Sequence, residues 1–242
     1  ASHDGIGIRP VEGILTPSET QALLARASAH GGNISYKTNS DGSKSAYELN
    51  ISYFDAISDP NGDEGLELQT KRFLASQAII LSLAGVPGIY VHSLFGSRNY
   101  YEGVEKSGRF RSINRKKFQR GEFENALANP DTTTAQVFDG YTHLLKIRRQ
   151  HPAFHPQGPQ QIIPLDKRVF AILRTSPDNN EQILCLINVS NQHLHLRLDS
   201  CPDALPPTSR WCDLLSVPNC FQASDSPPLK IAPYQILWLQ KQ

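Results

Sequence analysis

The chain has 242 residues and a mass of 26.9 kDa, a length that suits one large domain or two small ones. Hydrophobic residues make up 39% of it and charged residues 19%, so a substantial core can form and global disorder is excluded. The 24 Lys and Arg residues balance 23 Asp and Glu residues to a formal charge of +1. This balance gives no electrostatic reason to expect nucleic acid or a charged membrane as the main partner.

The sequence contains no methionine and starts, at Ala1, inside what reads as a motif. We therefore expect a fragment, a processed chain or a truncated chain. The longest apolar run, residues 78–86, is too short to span a bilayer, and the first residues lack the features of a secretory signal. We expect a cytoplasmic protein that binds neither membrane nor nucleic acid.

The four cysteines form no Cys-x-x-Cys pair, so neither a zinc site nor a redox dithiol is indicated. Cys185 lies in an apolar run and is expected to be buried, while Cys201, Cys212 and Cys220 lie in a Pro-rich stretch. We expect reduced thiols, with a disulfide among the last three as the alternative.

The first half of the chain predicts helices separated by long polar loops. After a strand end in residues 1–10, Thr16 as N-cap and Glu19 as its capping-box partner predict a helix that ends at Gly31–Gly32. Residues 33–65 are polar and predict a long connection, with one ordered island at 47–54.

Residues 66–84 have the 3.6-residue period of a buried helix. A tight turn and a short strand at 89–92 are predicted to follow, which would be the αβ step of a parallel fold. A second polar loop is predicted from Ser93 to about Gln119, and an amphipathic helix over 134–150 that Pro152 stops.

From residue 153 onward the pattern changes to short alternating segments without helical period. Strands are predicted at 160–164, 168–175, 181–189, 193–198 and 234–240. The sequence therefore predicts an antiparallel all-β module in this region.

The densest cluster of chemically active residues is Ser2-His3-Asp4-Gly5-Ile6-Gly7-Ile8-Arg9-Pro10. An isolated His-Asp pair is usually a capping pair in a turn, but this string resembles the fourth signature region of glycoside hydrolase family 13, the α-amylase superfamily. It is most similar to the sucrose phosphorylase-like subfamily. Three further segments resemble that subfamily in order: 47–56 its acceptor loop, 83–90 its eighth barrel strand, and 111–115 its Arg-x-Ile-Asn-Arg motif.

The resemblance covers the whole chain, whereas the chain covers only the C-terminal part of the family. It implies an α/β plus all-β fold, namely the C-terminal end of a (β/α)8 TIM barrel followed by an antiparallel β-sandwich-like domain. Residues 1–152 would form the last part of the barrel, with strands 7 and 8, and residues 153–242 the β domain.

The resemblance also implies roles. Asp4 matches the carboxylate that stabilises the transition state, His3 a neighbouring hydroxyl-binding histidine, and Arg111 an arginine that holds the glucose. Tyr47 and Glu48 match the acceptor loop and would bind substrate, with loop bracing as the alternative for Glu48. Asn114 and Arg115 would mainly hold the loop. The family's nucleophile and acid/base lie upstream of the His-Asp region, so this chain alone is expected to be inactive.

The implied function is that of an α-retaining glucoside phosphorylase that transfers glucose between a glucoside and inorganic phosphate and forms α-glucose 1-phosphate. Ser45-Ala46-Tyr47-Glu48 stands where sucrose-specific members have Asp-Leu-Tyr-Gln, so glucosylglycerate is preferred as glucoside, before sucrose 6-phosphate and sucrose. The alternatives are a hydrolase or transglycosylase of the same superfamily, or an inactive carbohydrate-binding fragment.

No metal or organic cofactor is implied by these residues. An incomplete barrel would expose an edge and an apolar face, so a complementary N-terminal part of the barrel or self-association is expected.

Overall fold

The computed structural model describes residues 3–201, 203–216, 220–224 and 228–242. The chain divides into two compact units. One is formed by residues up to 69 together with 88–138, and the other by 70–87 together with the residues from 139 onward. The division into 1–152 and 153–242 stays a prediction.

In the described ranges the α-helices are α1 Pro17–Ala29, α2 Tyr53–Ile57, α3 Leu66–Ser82, α4 Val91–Leu94, α5 Tyr101–Ser107, α6 Arg120–Ala128 and α7 Thr133–Gln150. The strands there are β1 Ile6–Gly7, β2 Asn33–Thr38, β3 Lys44–Asn50, β4 Gln160–Ile162, β5 Val169–Thr175, β6 Gln182–Asn188, β7 Leu194–Leu196, β8 Arg210–Asp213, β9 Cys220–Gln222, β10 Leu229–Ile231 and β11 Ile236–Lys241. Among these helices, none combines the length and apolarity needed to cross a lipid bilayer.

The predicted start of α1 is confirmed. The backbone N–H of Glu19 donates to Oγ1 of Thr16 at 3.2 Å, and the backbone N–H of Thr16 donates to Oε2 of Glu19 at 2.8 Å. This reciprocal capping box satisfies two donors that a helix N-terminus otherwise leaves free. Gly31, with φ of +78°, follows the helix in the left-handed region that glycine adopts most easily.

The predicted long connection after α1 is wrong, because residues 33–50 form the hairpin of β2 and β3. Its turn is closed by the N–H of Asn39, which donates to the carbonyl of Ser43 at 2.8 Å, and by Gly42 at φ +83°. The sequence did not predict these strands, because β2 and the first part of β3 are only partly buried and carry polar residues. The three-stranded sheet has the order β1-β3-β2 and is antiparallel throughout.

The predicted strand at 89–92 is also wrong. The backbone of Tyr90 is extended, but it has no ladder partner in the described part of the chain, and α4 begins at Val91. A parallel strand is held by hydrogen bonds to neighbours on its edges, so an extended segment without them does not become part of a sheet. Both long helices are confirmed within two residues, as α3 and α7.

In the second unit, six antiparallel strands follow the order β4-β5-β6-β11-β8-β9, and β10 pairs with β7. One apolar core joins both sheets, with Leu184 and Leu186 from β6, Leu194 from β7 and Ile231 from β10. The five predicted strands of this region are confirmed, with the bounds given above, whereas β8, β9 and β10 were not predicted. Each of these three has only three or four residues, too few to show an alternating pattern.

A disulfide joins Cys212 and Cys220, which face each other across β8 and β9. The expectation of reduced thiols is wrong for this pair, because the strand pairing brings the two cysteines opposite one another. Cys185 and Cys201 are free, and burial raises the pKa of the Cys185 thiol to about 12.

One charged side chain lies in the interior of the second unit. Arg174 on β5 is fully buried and donates to the carbonyls of Ser82 at the end of α3 (2.8 Å), His155 (2.8 Å) and Gly158 (3.4 Å). Burial lowers its pKa, since the charged form loses hydration. The guanidinium thus donates to a carbonyl that the end of α3 leaves unpaired and to two loop carbonyls, of which that of His155 also accepts from the N–H of Gly158.

Candidate functional site

The His3-Asp4-Gly5 segment is fixed by its neighbour β3. The register pairs Ile6 with Leu49 and Gly7 with Glu48, and the N–H of Gly5 donates to Oε1 of Glu48 at 3.1 Å. A Cβ atom at Gly5 would lie 2.3 Å from the carbonyl oxygen of Leu49. Only glycine allows this close approach of two backbones, and the approach sets where the preceding Asp4 stands.

Asp4 is held between two arginines. Its Oδ1 lies 3.2 Å from Nη1 of Arg111 and 3.3 Å from Nη2 of Arg115, and its side chain remains 40% exposed. The carboxylate is therefore charge-paired without being covered. It can still accept hydrogen bonds from an arriving polar group.

Glu48 is the buried member of this ion-pair network. Oε2 of Glu48 accepts from Nε of Arg111 at 2.9 Å, while Oε1 accepts from Gly5, and the Glu48 side chain is only 6% exposed. The pKa of Arg111 is raised by its hydrogen bond to Glu48, by the charge of Glu48 and by that of Asp4. One buried carboxylate thus orients both the arginine and the backbone next to Asp4.

The backbone of the same segment is tied down by the motif at 111–115. Nδ2 of Asn114 donates to the carbonyl of Asp4 at 2.7 Å, and Nε of Arg115 donates to the carbonyl of His3 at 2.7 Å. These bonds confirm that both residues hold the loop. Arg115 also contacts the Asp4 carboxylate, which the sequence did not indicate.

His3 and Tyr47 lie at the margin of this arrangement. Nε2 of His3 is 3.6 Å from Oδ1 of Asp4, and the His3 side chain is 72% exposed. The carbonyl of Tyr47 accepts from the N–H of Ile8 at 2.9 Å, and the phenol is close enough to Arg111 to contribute to its raised pKa. The His3 side chain is exposed and Tyr47 is partly buried.

Asp4 also lines a narrow cavity together with Tyr53, Tyr90 and His92. Burial lowers the pKa of His92, whose Nδ1 is 2.9 Å from Oγ of Ser97. Sequence reasoning placed His92 on a strand and assigned it no role. The apolar residues next to His92 in the sequence did not indicate that it would line a cavity with Asp4.

A buried carboxylate that the sequence did not single out supports the other side of this unit. Asp55 accepts from Nη1 of Arg98 at 2.9 Å and from the N–H of Asn99 at 2.7 Å, and is 1% exposed. Both of these donors to the carboxylate come from the segment after α4. Asp55 therefore braces that segment and is not accessible to a ligand.

In the described ranges, no group of three or more His, Cys, Asp or Glu side chains could hold a metal ion. The side chains at the site offer carboxylates, guanidinium groups and hydroxyl or imidazole hydrogen bonds. Such a set binds polyols and anions and can stabilise positive charge near Asp4.

Comparison with known proteins gives a consistent picture, although no family model matches the chain. The chain is 47% identical over 192 residues to a glucosylglycerate phosphorylase from Allomeiothermus silvanus. The aligned residues make up 79% of this chain and 34% of that protein. Glucosylglycerate phosphorylases from Spirochaeta thermophila and Escherichia coli are 42% and 35% identical, each over 99% of this chain. The chain spans 34–41% of the length of these three relatives.

Solved structures agree on the fold. The crystal structure of a sucrose 6F-phosphate phosphorylase from Thermoanaerobacter thermosaccharolyticum matches 92% of this chain and 40% of that chain, with a TM-score of 0.64 and 19% identity. An α-amylase from Geobacillus thermoleovorans matches 79% of this chain and 36% of that chain, with a TM-score of 0.54. The fold is thus the end of a barrel of this type with its β domain. Sequence and fold together identify the chain as the C-terminal part of a sucrose phosphorylase-like protein of glycoside hydrolase family 13.

Proposed function

We propose that this chain is the C-terminal part of an α-retaining glucosylglycerate phosphorylase, which transfers glucose from glucosylglycerate to inorganic phosphate and forms α-glucose 1-phosphate. The observation that carries the proposal is the Asp4 carboxylate, paired with Arg111 and Arg115 yet 40% exposed. The similarity to three glucosylglycerate phosphorylases supports this choice of glucoside.

The proposed mechanism assigns Asp4 a charge-stabilising role. As the bond from glucose to its leaving group breaks, positive charge develops on the sugar ring, and a carboxylate near that charge lowers the barrier. Arg111 and Arg115 contact the carboxylate and fix its position, so little reorganisation is needed when the charge appears. Asp4, in this proposal, also accepts hydrogen bonds from sugar hydroxyls.

His3, Tyr47 and Arg111 are proposed to bind substrate around Asp4. The exposed imidazole of His3 can donate to or accept from a hydroxyl, and Arg111 donates to oxygen atoms of the sugar. For Glu48, both carboxylate oxygens already accept hydrogen bonds inside the protein, which supports the bracing alternative over a substrate contact.

The proposal places the nucleophile and the acid/base in an upstream segment of the barrel, with residues 1–152 as the end of that barrel. We also propose that this upstream segment, or a second copy of the chain, covers apolar side chains of the first unit. Ile14 is 76% and Val91 47% exposed. Sedimentation of the 242-residue chain with and without the upstream segment tests this: a monomer that binds no hydrophobic dye would contradict it.

A cytoplasmic location belongs to the same proposal, because its charged sugar phosphate product does not cross a membrane unaided. The disulfide between Cys212 and Cys220 points the other way, since disulfides persist mainly in oxidising compartments. The state of these cysteines in the cell therefore tests the location.

The decisive experiment compares the 242-residue chain with a longer polypeptide that includes the upstream barrel segment. The chain alone is expected to release no glucose 1-phosphate from glucosylglycerate, and the longer polypeptide is expected to release it only when phosphate is present. Asp4→Asn in the longer polypeptide is expected to lower kcat by roughly 10²–10³-fold, the range for loss of one charge-stabilising group. Glu12→Gln, at an exposed carboxylate outside the site, is the matched control.

Two results would overturn the proposal. Release of free glucose at the same rate without phosphate would indicate the hydrolase alternative. Turnover by the isolated 242 residues would show that the reacting groups lie in this chain after all.

A further inference from the structure

β4 is an edge strand of the six-stranded sheet in the second unit, and only one of its two sides is paired within the described ranges. On that side, the N–H of Ile163 donates to the carbonyl of Ala171 at 3.0 Å. The N–H of Thr175 donates to the carbonyl of Pro159 at 3.1 Å. Pro159 and Ile163, which flank β4, therefore direct their backbone groups toward β5.

Gln160 and Ile162 direct their backbone groups the opposite way. In an antiparallel ladder, residues bonded to one neighbour alternate with residues whose N–H and C=O point to the other side. Two donors and two acceptors thus line the outer edge of β4, and no described strand pairs with them. The next outward position is Pro164, which has no N–H, so this free edge is short.

An apolar surface adjoins the free edge. The Ile162 side chain is 78% exposed, and it shares a face of the sheet with Gln160, two positions away. Oε1 of Gln160 accepts from the N–H of Ala84 at 2.7 Å, which places the segment after α3 beside this face. Leu83 and Val86 of that segment are exposed, Val86 to 82%.

The edge also lacks charge. Residues 156–165 contain no Asp, Glu, Lys or Arg, whereas edge strands are commonly protected from pairing by charged side chains. A surface that pairs with a copy of itself brings like charges together, which is unfavourable. A neutral edge does not have this obstacle, so its composition favours a second copy as the partner.

Antiparallel pairing of two copies satisfies the whole free edge when it is centred on Gln161. Gln160 of each copy then lies opposite Ile162 of the other, and each of these two pairs exchanges two N–H···O=C bonds. Ile162 of one copy thereby reaches the surface beside Ala84 of the other. Pro164 ends the pairing on both sides, so the contact closes as a pair and does not extend.

We infer that β4 joins two copies of this chain into a two-fold symmetric dimer by antiparallel pairing centred on Gln161. Four main-chain hydrogen bonds and a small apolar contact make a small interface. The dimer is therefore expected to be weak, with a Kd on the order of 10–100 µM. The inference concerns the second unit and does not depend on the proposed phosphorylase activity.

Sedimentation of the 242-residue chain over a range of concentrations is the first test, and a monomer–dimer equilibrium is expected. Ile162→Pro removes an N–H that β5 does not use, at an edge position where a sheet tolerates proline. Its Kd is expected to rise about tenfold, because one main-chain donor per copy is lost. Ile162→Val keeps the donor and an apolar side chain, so its Kd is expected to stay within about twofold of the original.

A cross-link tests the register. The pairing places the Cα atoms of the two copies of residue 161 about 4.5 Å apart, a separation that a disulfide spans. Gln161→Cys is therefore expected to form a covalent dimer on mild oxidation. Gln157→Cys, exposed but away from the symmetry axis, is expected to form no more covalent dimer than the unaltered chain.

A matched pair of variants distinguishes this edge from general hydrophobic association. Ile162→Lys places charge at the edge of each copy and is expected to dissociate the dimer. Ile14→Lys, at an isoleucine of the first unit that is 76% exposed, is expected to leave the dimer intact. Both side chains are exposed, so both variants are expected to fold.

Four results would overturn the inference. The 242-residue chain could remain monomeric at concentrations well above 100 µM, on the order of the upper Kd expected. Ile162→Pro could dimerise as strongly as the unaltered chain, or Ile14→Lys could dissociate the dimer as fully as Ile162→Lys. Finally, protection of the Ile162 amide from hydrogen exchange only when the upstream segment is added would assign the edge to that segment.

Discussion

Nε of Arg111 donates to the buried Oε2 of Glu48 at 2.9 Å, and the same guanidinium reaches Asp4 through Nη1 at 3.2 Å. Arg111 therefore connects a buried carboxylate to an accessible one. Glu48 fixes the arginine, and the arginine in turn fixes Asp4. The position of the Asp4 carboxylate thus depends on a buried residue, Glu48, that contacts the same arginine.

Glu48→Gln is the first prediction that follows from this connection. The amide keeps one acceptor for Gly5 but presents N–H groups to Arg111, so one buried hydrogen bond is lost. We expect the free energy of unfolding to fall by about 1–2 kcal/mol, measured by urea denaturation of the 242-residue chain. The exposed Glu12→Gln is the control, and equal loss in both variants would mean that the Glu48–Arg111 bond contributes nothing.

His92 predicts a pH dependence of stability. Burial lowers its pKa in the folded chain, so the unfolded chain binds the proton more readily. The stabilisation is present above the usual histidine pKa of about 6.5 and is lost as pH falls from there toward the lowered value. We expect unfolding at pH 5.5 to need less urea than at pH 7.5.

His92→Gln removes this titration while keeping a polar partner for Ser97. Its unfolding free energy is expected to change less between the two pH values than that of the unaltered chain. His193→Gln, at an exposed histidine just before β7, is expected to keep the original pH dependence. An identical pH profile for His92→Gln and the unaltered chain would contradict the prediction.

Arg174 predicts a large and specific loss of stability. Arg174→Met leaves an apolar chain of similar length but removes the donors to three carbonyls. We expect the free energy of unfolding to fall by about 3 kcal/mol, because the carbonyls of Ser82 and Gly158 lose this donor in the interior. Arg149→Met, at an exposed arginine near the end of α7, is expected to change it by less than about 0.5 kcal/mol.

The disulfide between Cys212 and Cys220 predicts a thiol count. Alkylation of the denatured chain without reductant is expected to label two cysteines, Cys185 and Cys201. Cys220→Ser is expected to cost about 2 kcal/mol, as for a short closed loop. Four labelled cysteines in protein alkylated directly in cells would show that the pair is reduced there.

Local signals in the sequence were sufficient for much of the secondary structure. The capping box of Thr16 and Glu19 and the periodicity of α3 and α7 were readable because each depends on residues three or four positions apart. The hairpin of β2 and β3 could not be predicted from the sequence, since its partly exposed faces carry polar residues. The absent strand at 89–92 shows the converse: an apolar run becomes a strand only where partners pair with it.

The candidate site, too, could be predicted only in part from the sequence. The sequence motif predicted a shared site for Asp4 and Arg111, and the fold brings their side chains within 3.2 Å of each other. It could not show that Glu48 is buried beneath them, nor that Arg115 also reaches Asp4.

The tie between Asn114 and the carbonyl of Asp4 spans 110 positions of the chain. Contacts between such distant segments form after local ones, because closing a long loop costs entropy before any bond repays it. On the ribosome, the helix that follows Thr16 has its whole sequence available long before residue 115 is translated. Asp4 therefore contacts these partners only after about a hundred further residues have been synthesised, and we expect the pocket around it to form after the local elements of this unit.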